Sequence, residues 1–245
     1  MMKIIEELIR ITKKYPVEDV RVGVSWTAVL SKYCGVANTF SMFNIHGNYT
    51  KDWGKLTEKD TRELAEYVKS WNLIEASIGV AAINSTIKPK GKKNINMLEL
   101  LPEISKNKKV TMIGRFPKVD AIKEVSKEFW ILEINPFLVN PKHNIFPEFA
   151  AEQLIPKSDV LIITSSTIIN KTIDRYLKLV NEDSYVVLMG PTTPLHKTLF
   201  DYGIDILAGL EVLKPKAILE KISQSAGMIS SRVCEGEVRY RVLEK

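Results

Sequence analysis

Cysteine and histidine are scarce in this chain: its 245 residues hold two of the first and three of the second. Neither Cys34 nor Cys234 has a Cys-x-x-Cys partner, which excludes a zinc site built from thiolates. Standing so far apart, they are expected as two separate reduced thiols. His46, His143 and His196 show neither His-x-x-x-His nor His-Glu-x-x-His spacing, so the helical zinc motif is absent as well. There is no Walker motif. No apolar run approaches the roughly 20 residues that a membrane-spanning helix needs. The first residues, Met1 to Ile9, carry Glu6 and Glu7 inside an apolar pattern. That is an amphipathic helix rather than a signal peptide, and it predicts a cytoplasmic protein with no membrane partner.

The formal charge of +6 raises the question of nucleic acid. Its densest patch is Lys88-Pro-Lys-Gly-Lys-Lys93, with Lys106, Lys108 and Lys109 nearby. No aromatic residue interleaves there for base stacking, and no helix-turn-helix pattern accompanies it. The stretch reads as a solvated basic linker, and no nucleic-acid partner is expected.

What the chain does have is apolar texture of two kinds. Before the linker, short β-rich runs at 17–26, 27–33 and 36–43 predict an antiparallel meander. A helix is expected after Thr57, with Asp60 in the Glu/Gln place of a capping box and Leu64, Val68 and Trp71 along one face. A second helix, about 73 to 86, is apolar and small-residued, and must be buried. After the linker, strands at 109–114, 129–134, 159–164, 185–189 and 205–208 alternate with helices at 119–127, 147–154 and 168–180. That alternation predicts a parallel sheet with right-handed crossovers, a Rossmann-like layer fold. The expected class is α/β, a small α+β domain over 1–105 followed by a Rossmann-like domain over 106–245.

In an open parallel sheet, ligands bind outside the carboxyl ends of the strands. Those ends are Gly114-Arg-Phe-Pro117, Glu133-Ile-Asn-Pro136, Thr164-Ser-Ser-Thr167 and Gly190-Pro-Thr-Thr-Pro194. All four are read as rich in Gly, Pro and hydroxyl groups, which allow close approach, fix turns and serve either hydrogen-bond direction. Gly114-Arg-Phe-Pro lacks the Gly-x-Gly-x-x-Gly fingerprint, so NAD(P) is not an expected cofactor, although Glu133 stands where a ribose-binding acid would.

These loops, together with Ala81-Ala-Ile-Asn-Ser85, Phe200-Asp-Tyr-Gly203 and Ala208-Gly209, resemble the "putative heavy-metal chelation" family, a domain family of unknown function. The resemblance covers most of the chain. It implies an enolase N-terminal-like domain before the Rossmann-like domain, and a ligand site in the cleft between them. It further implies a metal ion or metal complex as ligand, with a link to anaerobic cobalamin-type metabolism. The family pattern often has His where this chain has Arg115. Arg cannot ligate a metal but binds anions well.

The candidate ligand-binding residues are therefore Asn84, Gly114, Arg115, Glu133, Asn135, Thr164, Ser165, Ser166, Thr167, Asn170, Gly190, Pro191, Thr192 and Thr193. Glu133 and His196 are the candidate metal ligands. Glu133 reads equally as a ligand, a general base or a strand-end cap, and Asn84 as a helix C-cap or a group turned into the cleft. No Ser-His-Asp order or activated Cys–His pair can be assigned. Three classes stay open. They are a binding protein for a metal or metal complex, an enzyme acting on a small anionic or nucleotide-like ligand including the S-adenosylmethionine type, and a homo-oligomeric scaffold.

Overall fold

The computed structural model describes residues 2–41 and 50–245. The end of the third expected run (Met42, Phe43) and His46 lie outside them. The chain begins with α1 (Lys3–Ile11). An antiparallel meander follows, β1 (Asp19–Val22), β2 (Trp26–Leu30) and β3 (Cys34–Asn38), in that order across the sheet. Then come α2 (Thr61–Ala65) and α3 (Leu73–Thr86). Strand β4 (Lys92–Lys93), helix α4 (Met97–Ser105), β5 (Lys109–Ile113), α5 (Asp120–Val125), β6 (Glu128–Glu133) and β7 (Ile145–Pro147) lead into the second part. It continues with α6 (Ala151–Leu154), β8 (Val160–Thr164), α7 (Ile173–Leu179), β9 (Tyr185–Met189), β10 (Ile206–Val212), α8 (Pro215–Ser223) and β11 (Val238–Glu244).

The eight strands from β4 onward form one sheet in the order β4-β11-β10-β9-β8-β5-β6-β7. From β10 to β7 every pairing is parallel, whereas β11 lies antiparallel to β10 and to β4. The chain leaves β5 toward β6 on one side and returns to β8 on the other. The switch point, and with it the crevice that such sheets offer to ligands, therefore lies at the carboxyl ends of β5 and β8.

One face of the large sheet packs on α4 and α5 through Met97, Leu101, Met112, Ile122 and Ile162. The other face packs on α1, α3 and α7, so that Ile5, Leu8, Ile83, Ile163, Tyr176 and Leu188 share one continuous core. The small sheet is held on both sides. Helix α3 presses on β3 so closely that a Cβ at Gly35 would collide with the Ala81 carbonyl oxygen. Ile218 and Ile222 of α8 pack with Ala28 and Val36. The small sheet is thus fixed over the edge where β9 and β10 end.

The mixed α/β class agrees with the sequence, and several boundaries do not. The capping box is real but lies three residues later, with Asp60 as N-cap accepting from the backbone N–H groups of Arg62 and Glu63 while Glu63 Oε2 accepts from Asp60 N. Leu64 and Val68 are buried, but Trp71 is 76% exposed. A tight 3-10 turn at Glu66–Lys69 ends in extended Ser70, so the 3.6-residue period is lost before Trp71. The basic linker is partly structural: Lys92 and Lys93 pair with Val242 and Arg241, and Lys92 Nζ meets Glu244 at 2.8 Å. Where a helix was expected from Ile168, left-handed Lys171 (φ 67°) delays α7 to Ile173. The segment from Pro147 is largely 3-10, with one α-turn at Ala151–Leu154 stopped by Pro156. Both cysteines are free and buried.

Candidate functional site

Each strand-end loop is shaped by its own residues. Gly114 sits at φ 78°, and a Cβ there would stand 3.0 Å from Thr164 Cγ2, so glycine both makes the turn and lets the loops after β5 and β8 approach. After β6, Glu133 Oε1 accepts from Asn135 N at 3.0 Å, and Asn135 Oδ1 accepts from Phe137 N at 3.1 Å. After β8, Thr167 Oγ1 donates to Thr164 O at 2.7 Å, and Asn170 Oδ1 accepts from Thr172 Oγ1 at 2.7 Å. These bonds make the loop a short, stiff 3-10 turn.

Three cavities open along this edge. The largest, about 440 Å³, gathers eight of the sequence candidates: Gly114, Arg115, Glu133, Asn135, Thr164, Ser166, Thr167 and Asn170. Its roof is the small sheet's Ser25, Asn38 and Thr39, and Glu148 completes its wall. Glu133 is only 8% exposed, and its carboxylate accepts one hydrogen bond, from the Asn135 backbone N–H. Arg115 is exposed and makes no ion pair among the described residues. Glu148, by contrast, is engaged, accepting from Tyr176 Oη at 2.8 Å and pairing with Arg175. Together with burial, that carboxylate drives the Tyr176 hydroxyl pKa upward.

The second cavity, about 300 Å³, is bounded by Thr164, Ser165, Ser166, Gly190, Pro191 and Thr192, and on the small-sheet side by Trp26 and Asn38. The third, about 190 Å³, holds Asn84 and Thr193 beside Cys34 and Pro191. Burial raises the Cys34 thiol to about 12, so in the free protein it stands protonated at neutral pH.

The Gly190–Pro194 loop is a fastening between the two parts of the chain. Thr192 is 1% exposed, and its Oγ1 accepts from Asn38 N at 2.9 Å; its carbonyl accepts from Asn84 Nδ2 at 2.9 Å. Asn84 Nδ2 also donates to Val36 O at 3.0 Å, so this side chain bridges two elements and does not cap its helix. Thr193 is 4% exposed, and its Oγ1 lies 2.8 Å from Gly190 O and 2.9 Å from Ala208 O. His196 lines none of these three cavities. Its Nδ1 accepts from Thr198 N at 3.4 Å, capping the turn Lys197–Tyr202, and burial lowers its pKa against the opposing pull of Glu7. His143 is exposed on a separate loop.

A model of the DUF364 family, described as "Putative heavy-metal chelation", matches residues 96–243. The chain belongs to this family. A DUF4213 model with the same description matches residues 5–87. An uncharacterized protein of Methanocaldococcus jannaschii is 27% identical over 209 residues, covering 81% of this chain and 78% of its own length. Two crystal structures of DUF364 proteins of unknown function share the fold. That from Desulfitobacterium hafniense has a TM-score of 0.87 at 24% identity, covering 100% of this chain and 99% of its own. That from Pyrococcus horikoshii has a TM-score of 0.79 at 25% identity, with the same coverage.

The donor set tests the family's description. Among the described residues no three of His, Cys, Asp and Glu come together to hold a metal ion. Soft heavy metals favour thiolate and imidazole, whereas the largest cavity offers carboxylate, amide and hydroxyl oxygens. A bare soft ion held by the described side chains alone does not fit.

Sequence reasoning missed Trp26, Asn38, Phe116 and Met228, all lining the second cavity. Asn38 carries a readable signal, a polar residue closing the apolar run Val36-Ala37. Met228 carries none, because only the return of the chain after α8 brings it to this edge.

Proposed function

We propose that this protein binds a metal complex, a metal ion that arrives with its own chelating ligands, in the cleft between the small sheet and the carboxyl edge of the large one. The observation that carries this reading is the presence of Glu133 and Arg115 in one 440 Å³ cavity where no side-chain cluster among the described residues is able to chelate. A buried carboxylate with one hydrogen bond favours a positive centre, and a free guanidinium favours carboxylate or phosphate arms. A chelated metal bears both. Serine, threonine and asparagine groups around the wall complete its hydrogen bonds.

Calorimetry with Ni²⁺, Co²⁺ and Zn²⁺, each alone and as its citrate and histidine complex, tests the reading on protein purified without a tag. Saturable binding of a complex, weakened in Arg115→Ala and Glu133→Gln, supports it. Equal affinity for the bare ion with and without chelator overturns it.

A second reading, an enzyme acting on a small anionic or nucleotide-like ligand, draws on the same unpaired Arg115. Retention of S-adenosylmethionine or a nucleotide through purification favours it over the first.

A further inference from the structure

The 300 Å³ cavity differs chemically from its charged neighbour. Among the described residues no Lys, Arg, His, Asp or Glu lines it, and Phe116, Met189, Met228 and Tyr240 supply much of its wall. Two of its lining residues carry buried polar atoms without a hydrogen-bond partner among the described residues: Trp26 Nε1 and Ser165 Oγ. Ser165 is 1% exposed. A buried polar group left unpaired is costly, and native structures keep few of them. The indole N–H can only donate, whereas the hydroxyl serves in either direction. Gly190 keeps room in front of that hydroxyl: a Cβ there would stand 3.1 Å from Ser165 Oγ.

We propose that this cavity is a subsite for a neutral, flat heteroaromatic group of the nucleoside-base class. The ring carries an acceptor for Trp26 Nε1–H and a polar edge for Ser165 Oγ, and its faces meet the aromatic and methionine walls. Such walls suit flat rings through edge-to-face and sulfur–aromatic contacts. The absence of charge disfavours a phosphate here, because an ion buried without a partner is strongly penalised. The volume falls at the lower end of the range for ligand pockets, about 300–1,000 Å³. The position, over the carboxyl ends of β8 and β9 and beside the middle of β10, is where such sheets take ligands. Asn38, Thr164 and Ser166 belong to both this cavity and the charged one, so a ring seated here could extend a charged arm next door. The subsite does not depend on what occupies that neighbour.

The test is calorimetry of the full chain with adenosine, guanosine, inosine and uridine, and with indane as a flat ligand lacking acceptors. At least one nucleoside is expected to saturate below about 1 mM, and indane is not. Ser165→Ala and Trp26→Phe are each expected to weaken that nucleoside about five- to tenfold. Ser165→Ala is the smaller change and keeps the test open if Trp26→Phe does not fold. Failure of all four nucleosides to saturate, or unchanged affinity in both variants, overturns the proposal. Because the probes contain no metal, this outcome is separate from that of the metal-complex reading.

Discussion

Asn84 on α3 donates from Nδ2 to the Thr192 carbonyl at 2.9 Å, tying the helix of the small unit to the loop after β9. The same nitrogen reaches Val36 O at 3.0 Å. One amide thus aligns the roof of the cleft with its floor, and both accepting carbonyls depend on it.

Replacing Asn84 by alanine leaves those carbonyls without this donor. The expected loss is about 1–3 kcal/mol in urea unfolding. Asn84→Asp should fall at least as far at neutral pH, since a carboxylate would face two carbonyl oxygens. Stability equal to the parent in both variants would show that the bridge contributes nothing.

Gly35 is the point of contact between the small sheet and α3, where a side chain would collide with the Ala81 carbonyl and with the helix backbone beyond it. Backbone cannot move aside as a side-chain tip can. Gly35→Ala is therefore expected to be among the worst single substitutions, losing about 4 kcal/mol or more or failing to fold. A thermal melt within a few degrees of the parent would contradict the packing.

Acid should reveal a second tie, between α1 and the turn after His196. The Arg10 guanidinium and the Thr198 hydroxyl both bond Glu7 and hold its pKa down at about 2. A carboxylate whose folded pKa is depressed stabilises above its ordinary value, and that stabilisation is lost as pH falls through the folded one. The window runs from 4.5 down to about 2. Within it, the parent should lose stability more steeply than Glu7→Gln, as read by denaturant midpoints at successive pH values. Parallel curves would rule the tie out.

NADH is expected not to bind tightly. The loop at Gly114 lacks the glycine fingerprint that lets a pyrophosphate approach the backbone. Quenching of protein fluorescence that saturates in the low micromolar range, about −8 kcal/mol, would show otherwise.

Much of this architecture was legible because periodicity and chain punctuation report local structure. Leu73–Thr86 was readable as a buried helix to the residue, and β5, β8 and β9 end where their Gly or hydroxyl runs begin. The loops after β5, β6 and β8 were legible as one group for the same reason, since strand ends in a parallel sheet must share an edge. What stayed hidden depends on the return of distant chain. Lys92 and Lys93 look solvated until β11 supplies a strand to pair with, and Trp26 looks like any strand residue until the loops after β8 and β9 come up against it. Hydroxyl chemistry alone could not say whether Thr192 and Thr193 face a ligand or their own backbone.

That last question gives the sharpest test of the loop after β9. Two prolines flank the threonines and restrict the turn, and β-branching limits their rotamers. Such stiffness suits either a preformed ligand cradle or a clamp between the two parts of the chain. Thr192 Oγ1 accepts from Asn38 N, and Thr193 Oγ1 reaches both Gly190 O and Ala208 O, so each hydroxyl already has a backbone partner. Valine keeps the shape and removes only the hydroxyl. Thr193→Val should lose about 1 kcal/mol, the net worth of an ordinary hydrogen bond, and Thr192→Val about 1–3 kcal/mol because it strands a buried N–H. The double variant should lose more than either single one, without simple additivity because the two sites are adjacent, and its affinity for any metal complex or nucleoside should change little once the protein is folded. If stability instead holds while affinity falls tenfold or more, the threonines touch the ligand and the loop is a cradle.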